Sequence, residues 1–150
     1  MKLNLKAVFD EIGINGIYVG VLSRNNTIYK AEQSGEKLEL NTATLAAIHE
    51  CGAPEHNIPA RSFLRKPLIQ NREAMLNITN KAIAKALKNQ MSVKMALELI
   101  ALRAKDISVT AINNGLEPGL KPATIKAKGS SKPLIDTGQL KGSIDYEVRS

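Results

Sequence analysis

Residues Ser92 to Gly115 read SVKMALELIALRAKDISVTAINNG, and the spacing of the apolar residues in this run decides which folds the chain can adopt. Val93, Ala96, Leu97, Ile100, Ala104 and Ile107 recur at intervals of three and four, the spacing of one helix face, while Lys94, Glu98 and Lys105 fall on another stripe. Ser92 supplies an N-cap and Asn114-Gly115 a stop. Leu99 and Leu102 widen the apolar arc, so this helix is expected to be the most buried element. Upstream, from Pro67 to Asn89, the residues Leu68, Met75, Leu76, Ile78, Ile83, Ala86 and Leu87 mostly keep the same spacing, with Ala and Lys enrichment in support. The short Asn89-Gln90-Met91 link then predicts an antiparallel helical hairpin.

Strand signals lie at both ends of the chain. Ile17-Tyr18-Val19-Gly20-Val21-Leu22 is β-branched and aromatic, with Ile17, Val19 and Val21 on one face, and follows the turn dipeptide Asn15-Gly16. Ser143-Ile144-Asp145-Tyr146-Glu147-Val148 alternates strictly, so it reads as a half-buried strand, for which the first strand is the natural partner. The expected fold class is therefore α+β: a small antiparallel sheet packed against the helical hairpin. Between these elements, Leu5, Val8, Phe9 and Ile12 predict a short N-terminal helix closed by Gly13. Arg24-Asn25-Asn26 turns toward a weaker strand partner at Thr27 to Lys30, and Ala31 to Lys37 reads as a loop. Thr42 or Thr44 caps a brief helix through Glu50 that Gly52 and Pro54 stop, and Ala53 to Arg61 reads as extended or looped.

At 150 residues the chain is expected to be a single domain, 1–150, with residues 1–16 its N-terminal helix and turn. Residues 117–136 differ in kind. Pro118, Gly119, Pro122, Gly129 and Pro133 break any period, and Lys121, Lys126, Lys128 and Lys132 add charge with no acid between, which predicts a long, mobile, basic loop before the C-terminal strand. One turn of helix fits at Pro122 to Lys128.

Composition narrows the function without naming it. Hydrophobic residues at 43% and charged residues at 23% exclude a wholly disordered, collagen-like or coiled-coil chain. A net charge of +7 suits nucleic acid, an anionic surface or an acidic protein. Aromatic residues at 3% and no Trp leave out the stacking platform that single-strand readers use. The lone Cys51 cannot form an internal disulfide and suits a reducing cytosol, and no run approaches a membrane span or an export signal.

The chemistry-bearing clusters are thin. His49, Cys51 and His56 sit within HECGAPEH, flanked by Glu50 and Glu55, and these are zinc-ligand types. Yet HxCxxxxH is not a finger spacing and no fourth ligand is in view, so a helix end followed by a polar loop is the preferred reading and no metal or cofactor is assigned. A Cys-His nucleophile in the same cluster has no local oxyanion hole to serve it. Neither GxxxxGK[ST] nor GxGxxG occurs. Asp136 and Asp145 read as solvated carboxylates.

Three stretches carry a resemblance: LAAIHECG (Leu45 to Gly52), IPARSFLR (Ile58 to Arg65) and KPLIDTGQLKGSI (Lys132 to Ile144). In this order, with a helical hairpin between the second and third, they resemble the Mu-type virion morphogenesis group of tailed bacteriophages and prophages, the head-tail joining or tail-completion proteins. The resemblance spans roughly Ile17 to Val148. It implies a non-enzymatic structural protein of the neck or the head-proximal tail end, a connector, tail-completion or tail-terminator subunit. It further implies a homo-oligomeric ring on the order of six or twelve copies. Other phage neck or tail proteins are its implied partners, and the virion, after assembly in the bacterial host cytoplasm, its implied location. Cys51 departs from the aromatic that such proteins often carry there.

Local physics suggests roles for these residues. Pro59 fixes an extended approach to Phe63, whose ring reads as core, while Arg61 and Arg65 flank it with guanidinium groups able to grip acidic partners. Asp136 or Thr137 can accept from backbone amides near Leu140 and so turn the basic loop into the final strand. Lys121, Lys126, Lys128 and Lys132 would order against a neighbouring subunit. The rival readings are a basic module that contacts DNA, non-specifically in a ring lumen or otherwise, and a metal-dependent hydrolase on His49, Cys51 and His56.

Overall fold

Ser92 accepts a hydrogen bond from the Met95 amide at 3.1 Å and so starts the helix around which the protein is organised. The computed structural model describes residues 5–33, 36–119, 122, 126 and 138–150. In chain order the elements are α1 (Leu5–Ile14), β1 (Gly16–Val21), a 3-10 turn (Ser23–Asn25), β2 (Ile28–Gln33), β3 (Glu36–Asn41), α2 (Thr42–Cys51), a second 3-10 turn (Pro54–His56), α3 (Arg65–Gln70), α4 (Arg72–Leu87), α5 (Val93–Asn114), α6 (Gln139–Ser143) and β4 (Ile144–Arg149). The fold is α+β.

Helix α5 buries Val93, Ala96, Leu97, Ile100, Ala104 and Ile107, the stripe that its sequence predicts. Its N-terminal half packs on α4 through small residues, Ala82 and Ala86 against Ala96, and Val8 and Ile12 of α1 complete this apolar cluster. Small side chains let the two helix backbones approach closely. Leu99 and Leu102 correct the expectation drawn for them, being 41% and 42% exposed. At 100° per residue they sit opposite the core stripe together with Met95.

β1 pairs antiparallel with β4, with Ile17 opposite Val148, Val19 opposite Tyr146 and Val21 opposite Ile144. Both strands rest on α5. The second sheet is a correction. Residues 28–33 do not pair with β1, and of the stretch read as a loop, residues 31–33 and 36–37 are strand. β2 and β3 form a separate hairpin, Ile28 opposite Asn41 through Gln33 opposite Glu36, that contacts α2.

Other boundaries shift for local reasons. α1 runs through Gly13 to Ile14, because Asn15 closes it instead, its side-chain amide donating to the Glu11 carbonyl at 2.7 Å. Phe9 is 58% exposed and lies off the buried face that Val8 and Ile12 supply. Asn41, not a threonine, caps α2, accepting from the Thr44 amide at 2.7 Å, and Thr42 is buried. The helix expected over Pro67 to Asn89 divides at Asn71, whose side chain donates back to the Pro67 carbonyl at 2.9 Å. α6 intervenes before β4, so the strand starts at Ile144. Within the stretch 117–136, only 117–119, Pro122 and Lys126 are among the described residues, the last two with helical backbone.

Candidate functional site

Phe63 has no exposed surface, and its neighbours explain why three separated stretches of sequence belong together. It shares one apolar cluster with Ala46 from α2, Ile112 from α5, and Leu140 and Ile144 from α6 and β4. Residues of LAAIHECG, IPARSFLR and the end of KPLIDTGQLKGSI therefore meet in a single apolar cluster. Burying such a side chain contributes roughly 2–3 kcal/mol.

Polar bonds then stitch the second stretch to the first. The Glu50 carboxylate accepts from Ser62 Oγ at 2.6 Å, from the amides of Phe63 and Leu64 at 2.8 and 3.0 Å, and from the Arg65 amide at 3.1 Å. Those amides open α3 and have no helical partner of their own, so a carboxylate is the acceptor best suited to them. Burial pushes the Glu50 carboxyl up, but the bonds from Ser62, Leu64, Arg65 and Phe63 outweigh it and hold the group below its ordinary value. The Arg61 amide donates to the His49 carbonyl at 2.7 Å, closing the joint on its other side. Gly52 permits the turn between, since its φ is 78° and a Cβ there would stand 2.7 Å from the Ala60 nitrogen.

Arg61 corrects the role expected for it. Its side chain is buried, with Nε donating to the Pro118 carbonyl at 2.8 Å and Nη2 to the Gly119 carbonyl at 3.3 Å. It holds the root of the basic segment rather than reaching for an acidic partner. Arg65, in contrast, is exposed, as is Lys126. Beside this root lies a cleft of about 420 Å³ lined by Ser62, Lys66, Asn71, Arg103, Asn114 and Glu117, among others. Lys121, Lys128, Lys132, Asp136 and Thr137 lie outside the described residues.

Gln139 ties α6 to the foot of the β2–β3 hairpin. Its side-chain amide donates to Thr27 Oγ1 at 2.8 Å and to the Ile28 carbonyl at 3.0 Å, where the β2–β3 hairpin leaves the body. Next to it Ser143 Oγ donates to the Leu140 carbonyl at 2.8 Å, fixing the short α6.

Asp145 is not a free solvated carboxylate. It accepts from Arg24 at 2.9 Å and from Lys105 at 3.0 Å, joining the end of β1 to β4 and α5. Burial raises it, but the bonds from Lys105 and Arg24 win and hold it well below the usual carboxylate range. Arg24 reaches on to Glu147 at 3.5 Å. Glu50, Gln139 and the Arg24–Asp145–Lys105 cluster were all missed by sequence reasoning, because their partners lie a dozen or more residues away and no local pattern marks them.

His49 is half-buried near the end of α2, while Cys51 and His56 are exposed on that helix end and the following turn. Among the described residues no group of three or more His, Cys, Asp or Glu side chains is placed to share a metal ion.

No protein-family model, no curated protein and no solved structure matches the chain.

Proposed function

We propose that the protein is a non-enzymatic structural subunit of a tailed-bacteriophage particle, assembling into a ring at the neck or the head-proximal end of the tail and completing the head-tail connection. The observation that carries this reading is the shared Phe63 joint. Described residues of the three stretches on which the resemblance rests share one apolar cluster, and two others, Arg61 and Gln139, bond to the Pro118 carbonyl and to the foot of the β2–β3 hairpin. The residues that define the resemblance thus act together as a platform. A packed body with a two-stranded hairpin apart from its main sheet suits a ring subunit, which needs a rigid frame and distinct surfaces for its neighbours.

The DNA-contacting reading draws on the +7 charge and the lysines at 121, 126, 128 and 132. It remains the second choice, because 3% aromatic residues provide no base-stacking surface.

The test is composition of the particle. Virions produced from the genome that encodes this chain are purified through a density gradient and their proteins quantified by mass spectrometry. The reading expects the chain in a fixed copy number per portal ring, and portal and tail-tube genes beside its own. Its absence from infectious particles would overturn the proposal.

A further inference from the structure

The 420 Å³ cleft beside the Phe63 joint is walled by two stripes of side chains. Ser62, just before α3, and Lys66 and Gln70 within it recur at steps of four, while Arg103, Ile107, Thr110 and Asn114 keep steps of three and four on α5. Apolar residues lie deep in it: Pro67 and Ile107 are buried, Ala111 and Leu116 half-buried. The polar residues stand at the edge, where Lys66, Gln70, Arg103, Thr110 and Asn114 are exposed. The cleft is therefore a trough with an apolar floor and a polar rim.

Two cations on that rim are uncommitted. Arg61 is held by two carbonyls, and Arg24 and Lys105 by Asp145, but the side chains of Lys66 and Arg103 have neither an ion pair nor a hydrogen bond among the described residues. The lining holds one carboxylate among the described residues, Glu117, and it already accepts from the Gly119 amide at 3.0 Å. Two cations against one carboxylate favour an anionic guest. Length and side-chain chemistry narrow its class. From Arg103 to Asn114 the α5 wall runs about 16 Å, the reach of roughly five extended residues. Gln70 and Asn114 each carry a donor and an acceptor, as a peptide backbone does, whereas a phosphate chain offers acceptors only. No aromatic side chain is among the described lining residues, so a nucleic-acid base has nothing to stack on.

We infer that this cleft binds a short, extended acidic peptide segment of another protein, with apolar side chains on the floor and carboxylates at Lys66 and Arg103. Alternate side chains of an extended chain point to opposite sides. A segment that alternates acidic and apolar residues therefore meets rim and floor together, and the Arg103 guanidinium can take a carboxylate through two parallel bonds. The site requires no ring, so it goes beyond the assembly reading.

Three labelled pentapeptides, blocked at both ends, probe the full chain by fluorescence anisotropy: Glu-Leu-Glu-Leu-Glu, Gln-Leu-Gln-Leu-Gln and Lys-Leu-Lys-Leu-Lys. At about 0.1 M salt, where the screening length is about 10 Å, the acidic peptide should bind about tenfold more tightly than the neutral one and the basic peptide should not bind. Because the chain carries +7 overall, location is tested as well as sign. The double variant Lys66→Glu, Arg103→Glu should bind the acidic peptide about tenfold more weakly than the parent. Lys81→Glu, Lys85→Glu makes the same change of charge at exposed positions of α4, about 15 Å or more along the chain from Asn71, and should stay within about twofold of the parent. Circular dichroism checks each fold, and Lys66→Ala, Arg103→Ala replaces the cleft variant if charge reversal unfolds it. Equal losses in the two double variants overturn the site, since the peptide then reads net charge. Absence of binding by the acidic peptide, or no preference for it over the neutral one, overturns it too. A labelled oligothymidine that binds the parent and is lost in the cleft variant, with the peptides indifferent, overturns the peptide site and gives the cleft to nucleic acid. All of these outcomes leave the ring reading standing.

Discussion

Glu50 shows how one carboxylate can make a motif out of residues far apart. Four donors within 3.1 Å converge on it, three of them amides at the start of α3. Glu50→Ala strands those amides, and with partial exposure discounting the loss, urea denaturation should show about 1–2 kcal/mol less stability at pH 7. The pH dependence follows from the same bonds. Glu50 and Asp145 both titrate lower in the folded chain than in the unfolded one, where their ordinary values are 4.5 and 3.8. The unfolded chain therefore takes up protons first as pH falls. Stability should hold from neutral down to about pH 5 and then decline as the pH drops toward the folded values, more shallowly in a Glu50→Gln, Asp145→Asn double variant. Phe63→Ala removes the centre of the joint and should cost about 3–5 kcal/mol by the same assay. Ser108 offers the opposite sign. Its hydroxyl is fully buried with no hydrogen-bond partner among the described residues, so Ser108→Ala should be neutral or stabilising by up to about 1 kcal/mol.

The elements divide into those that local pattern reveals and those that distant contacts create. The α5 stripe, its Ser92 cap, the Gly115 stop and the β1–β4 pairing were all readable, because each depends on spacing of three and four, on alternation, or on a residue beside the end it caps. The β2–β3 hairpin is not legible in this way, because its sequence mixes Lys and Glu with Tyr, Ala and Leu, which lowers the apolar contrast that marks a strand. The candidate site was readable only as a set of stretches. That Arg61 faces inward to Pro118 depends on how α2, α3 and the end of α5 meet, which no local spacing encodes. The basic segment carries its own prediction. Substituting Lys121, Lys126, Lys128 and Lys132 should leave the unfolding midpoint unchanged, since no periodic apolar stripe runs through it. Any DNA binding by the parent chain should be weak, independent of sequence and steeply salt-dependent, with the substitutions flattening the slope by about 3–4 units in a filter or anisotropy titration. Tight binding at physiological salt would favour the DNA-contacting reading instead.

Across the whole protein, two apolar clusters occupy the two halves of α5: one built on α4 and α1, the other on Phe63 and the convergent stretches. The first makes a helical body. Next to the second cluster, Arg61 holds the Pro118 and Gly119 carbonyls and Gln139 holds the foot of the β2–β3 hairpin. On the proposed reading such a chain builds a closed ring. Native mass spectrometry of the purified protein over a concentration series tests that claim most directly. The account predicts a closed species of fixed copy number, on the order of six or twelve subunits, that replaces monomer without a ladder of larger forms as concentration rises. Monomer alone at the highest concentration, or a ladder that lengthens without limit, would contradict it.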